Sequence, residues 1–135
     1  MLALNSLSNY KNSGLLLLRI GLGIMMIIHG YPKIIAGPEA WASIGGSMSY
    51  IGINFLPTFW GFMAAFSETV GGLFFLIGFL YRPACILLAF TMFIAGYMHL
   101  AQDHGLSQAS HALELMFVFL GLISIGPGKY SIDKK

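Results

Sequence analysis

Charge is what this 135-residue sequence most conspicuously lacks. Asp, Glu, Lys and Arg together make up 9% of it, against roughly 25% in soluble domains. A small domain has the highest ratio of surface to volume and needs that charge most, so a soluble globular protein is excluded. Cysteine is nearly absent as well. The single Cys85 rules out an internal disulfide, a Cys-x-x-Cys redox pair and a cysteine zinc cluster. The formal net charge is only +2, and its basic residues are too scattered for a nucleic-acid footprint. There is no low-complexity segment and no internal repeat of about 20–50 residues.

What the sequence has instead is apolar length. Hydrophobic residues make up 57% of it, with a mean hydropathy of +0.79. A helix that crosses the roughly 30 Å hydrocarbon core needs about 20 mostly apolar residues. Four stretches meet that requirement: about 14–35, 58–80, 83–101 and 110–125. The expected fold is all-α, a single integral membrane domain over 1–135 built as a four-helix bundle. Tyr81-Arg82-Pro83 makes a tight turn with Pro83 placed in the first turn of the third span, and Gly126-Pro127-Gly128 ends the fourth. The first run contains Arg19 and continues through His29, Pro32 and Lys33 with no small-x-small cleavage site, which argues for a span over a signal peptide.

Basic residues in short loops set the direction of insertion. Lys11, Arg82, Lys129, Lys134 and Lys135 fall on one side, with Arg19 near it, and only Lys33 on the other. Both termini are therefore expected in the cytoplasm. The opening residues form a short polar lead-in that lies along the interface through Leu2, Leu4 and Leu7. The first connection, Ala36 to Pro57, is expected to face outward as a long loop or a re-entrant half-helix. Trp41, Tyr50 and Trp60 are candidates for the interfacial aromatic belt.

Ionisable residues within a span are costly and mark the place to look for function. Counting ~1.5 Å per residue from each cytoplasmic helix end puts His29 at ~22 Å, Glu68 at ~18 Å, His99 at ~24 Å and Glu114 at ~16 Å. His111 and Lys33 come out at ~21 Å and ~28 Å on the same count. Each span thus offers a polar side chain to one slab in the outer half of the membrane. Gly61, Ala64, Glu68 and Gly72 form one stripe of small residues around a carboxylate, which allows close helix approach. His29 and Lys33 are one turn apart, and His111 and Glu114 are three residues apart. His29 with Glu68, and His99 with Glu114, are the natural pairs.

Four readings of that slab stand open. Buried His–Glu hydrogen bonds can be structural glue between helices. A carboxylate and an imidazole can exchange protons with the head group of a quinone or a similar molecule. The side chains can hold a metal, although His111-x-x-Glu114 does not reproduce the paired Glu-x-x-His motifs of di-iron bundles. His29 and His99 lie at matching depths for haem ligation. Arg19, about 7 Å inside the boundary, either snorkels to the interface or faces the interior and holds an anion. Cys85 reads as a packing residue, the methionines and phenylalanines as packing and lipid-facing material, and His104 as a solvated loop residue.

Several short motifs carry a resemblance. They are Leu18-Arg19-Ile20-Gly21-Leu22-Gly23 followed by His29-Gly30 and Lys33, then Glu68-Thr69-Val70-Gly71-Gly72, then Gly78-Phe79-Leu80-Tyr81-Arg82-Pro83-Ala84. Gly126-Pro127-Gly128-Lys129-Tyr130-Ser131-Ile132-Asp133 closes the series. In order and spacing the chain resembles the DoxX family of small four-helix membrane proteins over about residues 15–133. The resemblance implies a bacterial inner-membrane protein that serves as a subunit of a quinone-linked oxidoreductase. Arg19, His29, Lys33 and Glu68 match the polar positions of the motif, while His99 and Glu114 come from the depth argument. With no redox cysteines, any electron carrier must be a bound cofactor or a partner. Function carried by such an analogy is associational.

The expected site therefore has Glu68 and His29 as the proton-transferring pair, with Arg19, Lys33, His99, His111 and Glu114 around the ligand and no metal. The cofactor stays open at this point, with a quinone among the candidates. The expected partners are lipid, redox-complex subunits or further copies of the chain. A non-catalytic assembly subunit that binds another membrane protein, and a small transporter or proton path, are the alternatives.

Overall fold

In a computed structural model, residues 4–102 and 105–133 are described. The expectations placed on Leu2, His104, Lys134 and Lys135 lie outside the described residues. The fold is all-α, and among the described residues there are no strands. The helices are α1 (Lys11–Ala36), α2 (Pro38–Gly45), α3 (Pro57–Ile77), α4 (Tyr81–Ala101) and α5 (Leu106–Ile125), with 3-10 segments at Asn5–Tyr10 and Gly46–Ile51. Of these, α1, α3, α4 and α5 are long and apolar enough to cross a membrane.

The helix ends follow local chemistry. α3 stops at Ile77 rather than at Leu80 because Gly78 turns left-handed at φ +73°. The Gly78 and Phe79 N–H groups then both donate to the Phe74 carbonyl at 2.9 and 3.0 Å, the closure that ends many helices on glycine. α5 starts at Leu106 rather than Ser110, immediately after Gly105 at φ +88°.

Packing runs α1 on α3, α3 on α4 and α4 on α5, with α2 laid against α3. Glycine decides which helices meet. A Cβ on Gly23 would come within 2.7 Å of the Leu76 Cβ, and one on Gly30 within 2.7 Å of the Glu68 Cβ. α1 therefore lies on α3 only because both positions lack side chains. α2 is seated in the same way: a Cβ on Gly45 would overlap the Pro57 carbonyl oxygen, and one on Gly61 the Trp41 carbonyl oxygen. Among the described residues, no Cα atoms of α1 and α5 lie within 8 Å of each other. The bundle is consequently closed on three sides, with a wider seam between α1 and α5.

The two ends of the bundle differ. At the end that carries the C-terminal tail, the interior is filled by Phe75, Tyr81, Leu88 and Phe119, all essentially unexposed. Phe75 stacks on Tyr81 at 5.1 Å and meets Phe119 edge-on at 5.2 Å. The tail folds back over this end. The Asp133 carboxylate accepts the Leu80 and Tyr81 N–H groups at 3.2 and 2.8 Å, supplying partners to the orphan amides at the start of α4. In return, the Ile132 and Asp133 N–H groups donate to the Ile77 and Gly78 carbonyls.

Arg19 completes this clamp, facing the bundle interior as the second expectation for it had it. Its side chain does not snorkel, because the residue is only 2% exposed. Among the described residues it holds no carboxylate either. It donates instead to main-chain carbonyls: Leu76 and Tyr130 at 2.9 Å, and Phe75 and Pro127 at 3.4 Å. The Phe75 carbonyl is shared with the Gly78 N–H, and the others stand at the end of α3 and in the folded tail, where helix-type partners run out. A guanidinium fork with five donors suits several of them at once.

The opposite end is capped by α2 and its following 3-10 segment. The first connection is therefore a folded element packed on the bundle. Trp41, expected in the aromatic belt, is used to fasten it. Its indole N–H donates to the Lys33 carbonyl at 2.8 Å, and its ring packs edge-on to Phe62 at 5.0 Å.

Candidate functional site

The capped half of the bundle contains the polar cluster. Glu68 sits mid-way along α3 with its side chain 3% exposed, and Lys33 Nζ donates to its Oε1 at 2.6 Å. Gly30 explains the pairing. It brings α1 into contact with α3 at Glu68 itself, so the residue one turn further along α1, Lys33, reaches the carboxylate. His29 points elsewhere, its ring lying edge-on to that of His111 with centroids 6.5 Å apart. The expected His29–Glu68 pair is thus replaced by Lys33–Glu68, and by a His29–His111 contact across the open seam.

Two cavities meet at Glu68. The larger, about 490 Å³, lies between α3, α4 and the cap formed by α2 and its 3-10 extension. Its polar wall is made by Lys33, Ser67, Glu68 and His99, and its apolar wall includes Met48 and Phe90. The smaller, about 320 Å³, lies inside the α1–α5 seam and takes His29, Glu68, His99 and His111 from the four long helices. Glu68 and His99 belong to both walls. Ligand pockets commonly span about 300–1,000 Å³ with mostly apolar linings and a few placed polar groups, and the larger cavity has that character.

Trp60 was not among the expected site residues; its position near a helix start suggested an interfacial belt. It lines the larger cavity, and its indole Nε1–H is buried without an acceptor among the described residues. Buried donors are nearly always paired, so this N–H is a donor that an oxygen in the cavity could accept from. Nothing in the sequence around Trp60 signals this, because the burial comes from the cap folding back.

Of the other expected residues, Arg19 is in the clamp at the far end. Glu114 joins neither cavity. It is exposed on α5 and, among the described residues, has no hydrogen-bond or ion-pair partner, so the expected His99–Glu114 pair does not form. Three residues turn a helix through ~300°, which leaves Glu114 ~60° around from His111 and carries it from the seam to the outer surface. Among the described residues no group of three or more His, Cys, Asp or Glu side chains is placed to hold a metal ion.

The DoxX family model matches residues 14–101, more than half of the chain. The match runs from the first turn of α1 to the end of α4, and so includes Lys33, Glu68, His99 and Trp60. No curated protein and no solved structure matches.

Proposed function

The chain belongs to the DoxX family, and from that premise we propose that it is an integral membrane subunit of a quinone-linked oxidoreductase that holds a quinone head group in the larger cavity. The observation that carries this reading is the pairing of an apolar cavity of about 490 Å³ with a buried indole N–H that has no acceptor among the described residues. A carbonyl oxygen in the cavity would take that hydrogen bond. The quinone supplies a two-electron, two-proton couple. Glu68, held by Lys33, is the group that exchanges a proton with the ligand, and His99 shares its wall. His29 and His111 stand on the far side of Glu68, in the smaller cavity. Leu87 and Phe90 line the larger cavity and are 43% and 51% exposed, so an isoprenoid tail can leave sideways into lipid.

Cys85 is the only cysteine and is buried in the far half, so electrons are assigned to a partner subunit or its cofactor. The packed Phe75, Tyr81 and Phe119 in that half argue against a path through the bundle. We place the protein in the bacterial inner membrane with both termini cytoplasmic. Lys11, Arg82 and Lys129 at the tail end against Lys33 at the capped end support that direction.

The test uses the scarcity of tryptophan. The chain has two, so Trp41→Phe leaves Trp60 as the only indole fluorophore. In nanodiscs, a short-tailed quinone should quench Trp60 saturably, and Glu68→Gln should weaken the apparent affinity about tenfold or more. Quenching that rises linearly with quinone, as it does for a tryptophan ester dissolved in the same lipid, would rule out the site.

A further inference from the structure

We propose that the outer face of α5, centred on Glu114, is the surface on which a second copy of this chain docks. Of the residues on this face, His111 also lines the smaller cavity, and Glu114 and Gly121 line neither. Glu114 lies eight residues into α5, ~12 Å below the capped end of a helix ~30 Å long by the helical rise, which puts it near the middle of the bilayer. It is exposed on the bundle's outer surface and has no partner among the described residues. A lipid-facing carboxylate at that depth is costly, and ionisable groups there are normally paired or turned inward. The depth is also too great for a glutamate side chain to reach the headgroups.

The rest of α5 is consistent with a missing neighbour. Among the described residues, α4 is the only helix whose Cα atoms come within 8 Å of those of α5, and the most apolar stretch of α5 is the least covered of the four spans, 17% buried against 39% for α3. Gly121, two turns beyond Glu114 on the same face, has nothing within 4 Å of where a Cβ would stand, so another backbone can come close there.

A second copy fits this face better than an unrelated helix because the face is self-complementary. Two-fold pairing about an axis along the membrane normal sets α5 beside its own equivalent, parallel and at the same depth. His111, also exposed, is one turn from Glu114, a step of ~4.5 Å along the axis. Each Glu114 can then accept an N–H from the partner's His111, and symmetry makes the bond twice.

Cysteine crosslinking in native membranes tests this. Gly121→Cys should give disulfide-linked dimers on mild oxidation. Ile86→Cys, on the outer face of α4 and 55% exposed, should not, and the wild-type chain with its buried Cys85 should stay monomeric. In the Gly121→Cys background, Glu114→Leu and His111→Leu should each lower the dimer yield about tenfold, whereas Glu114→Gln, which can still hydrogen-bond, should retain most of it. A monomer at Gly121→Cys, equal yields at positions 86 and 121, a crosslink to a protein of another size, or a dimer that survives both leucine variants would each overturn the proposal.

Discussion

Lys33 and Glu68 form an ion pair whose two halves are unequally buried, and that inequality predicts an asymmetric mutant cycle. Glu68 is 3% exposed and Lys33 39%. Lys33→Met removes the cation that donates to the Glu68 carboxylate and leaves a buried charge without that partner, which costs about 3–5 kcal/mol for buried pairs. Glu68→Gln does the reverse. It leaves an ammonium three residues from the end of α1, ~5 Å by the helical rise, from where a lysine can extend its head to water. The loss is then little more than one hydrogen bond, about 1 kcal/mol. The double variant has no charge to strand and should lie within about 1 kcal/mol of Glu68→Gln alone. Glu68→Gln, mildly destabilising by itself, should thus rescue Lys33→Met by about 2–4 kcal/mol, a coupling expected only of residues in direct contact. The assay is reversible unfolding in mixed micelles titrated with a denaturing detergent, followed by loss of helical circular dichroism. Equal costs for the two single variants, or costs that simply add in the double, would refute the assignment of Lys33 as the counter-ion. Strong coupling of Glu68 to His29 instead would restore the pairing suggested by depth alone.

Arg19→Met keeps side-chain bulk but strips the donors from the Leu76 and Tyr130 carbonyls, and at about 1–3 kcal/mol for each buried group left unpaired should cost about 2–6 kcal/mol. The same change should release the C-terminal tail, so limited proteolysis after Ile125 should accelerate; an unchanged melting temperature and an intact tail would contradict the clamp. Reporter fusions at the C-terminus and in the α4–α5 connection at residue 105 should report opposite sides of the membrane, with the C-terminus cytoplasmic. Reporters on the same side would break the four-span topology, and a C-terminus outside would reverse the proposed direction.

The number, length and order of the spanning helices were legible in the chain because they depend on local information. Apolar runs of about 20 residues, punctuated by Tyr81-Arg82-Pro83 and Gly126-Pro127-Gly128, specify where helices lie whatever they later pack against, although Gly78 and Gly105 shift two of the ends by three or four residues. That polar groups from all four long helices converge was also legible, since depth along a helix is a simple count of residues. Rotation about the helix axis and contact between distant segments are not local, and here only the tertiary structure decided. The choice of Lys33 over His29 for Glu68 rests on Gly30 letting α1 touch α3 at one level. Arg19 takes its partners from residues 56 to 111 positions away, all of them main-chain carbonyls that no side-chain motif announces. Trp60 becomes part of a cavity wall only because Gly45 and Gly61 let the cap sit down on α3. Glu114 shares a depth with the cluster, but the rotation of α5 fixed by its packing on α4 turns it to the outside.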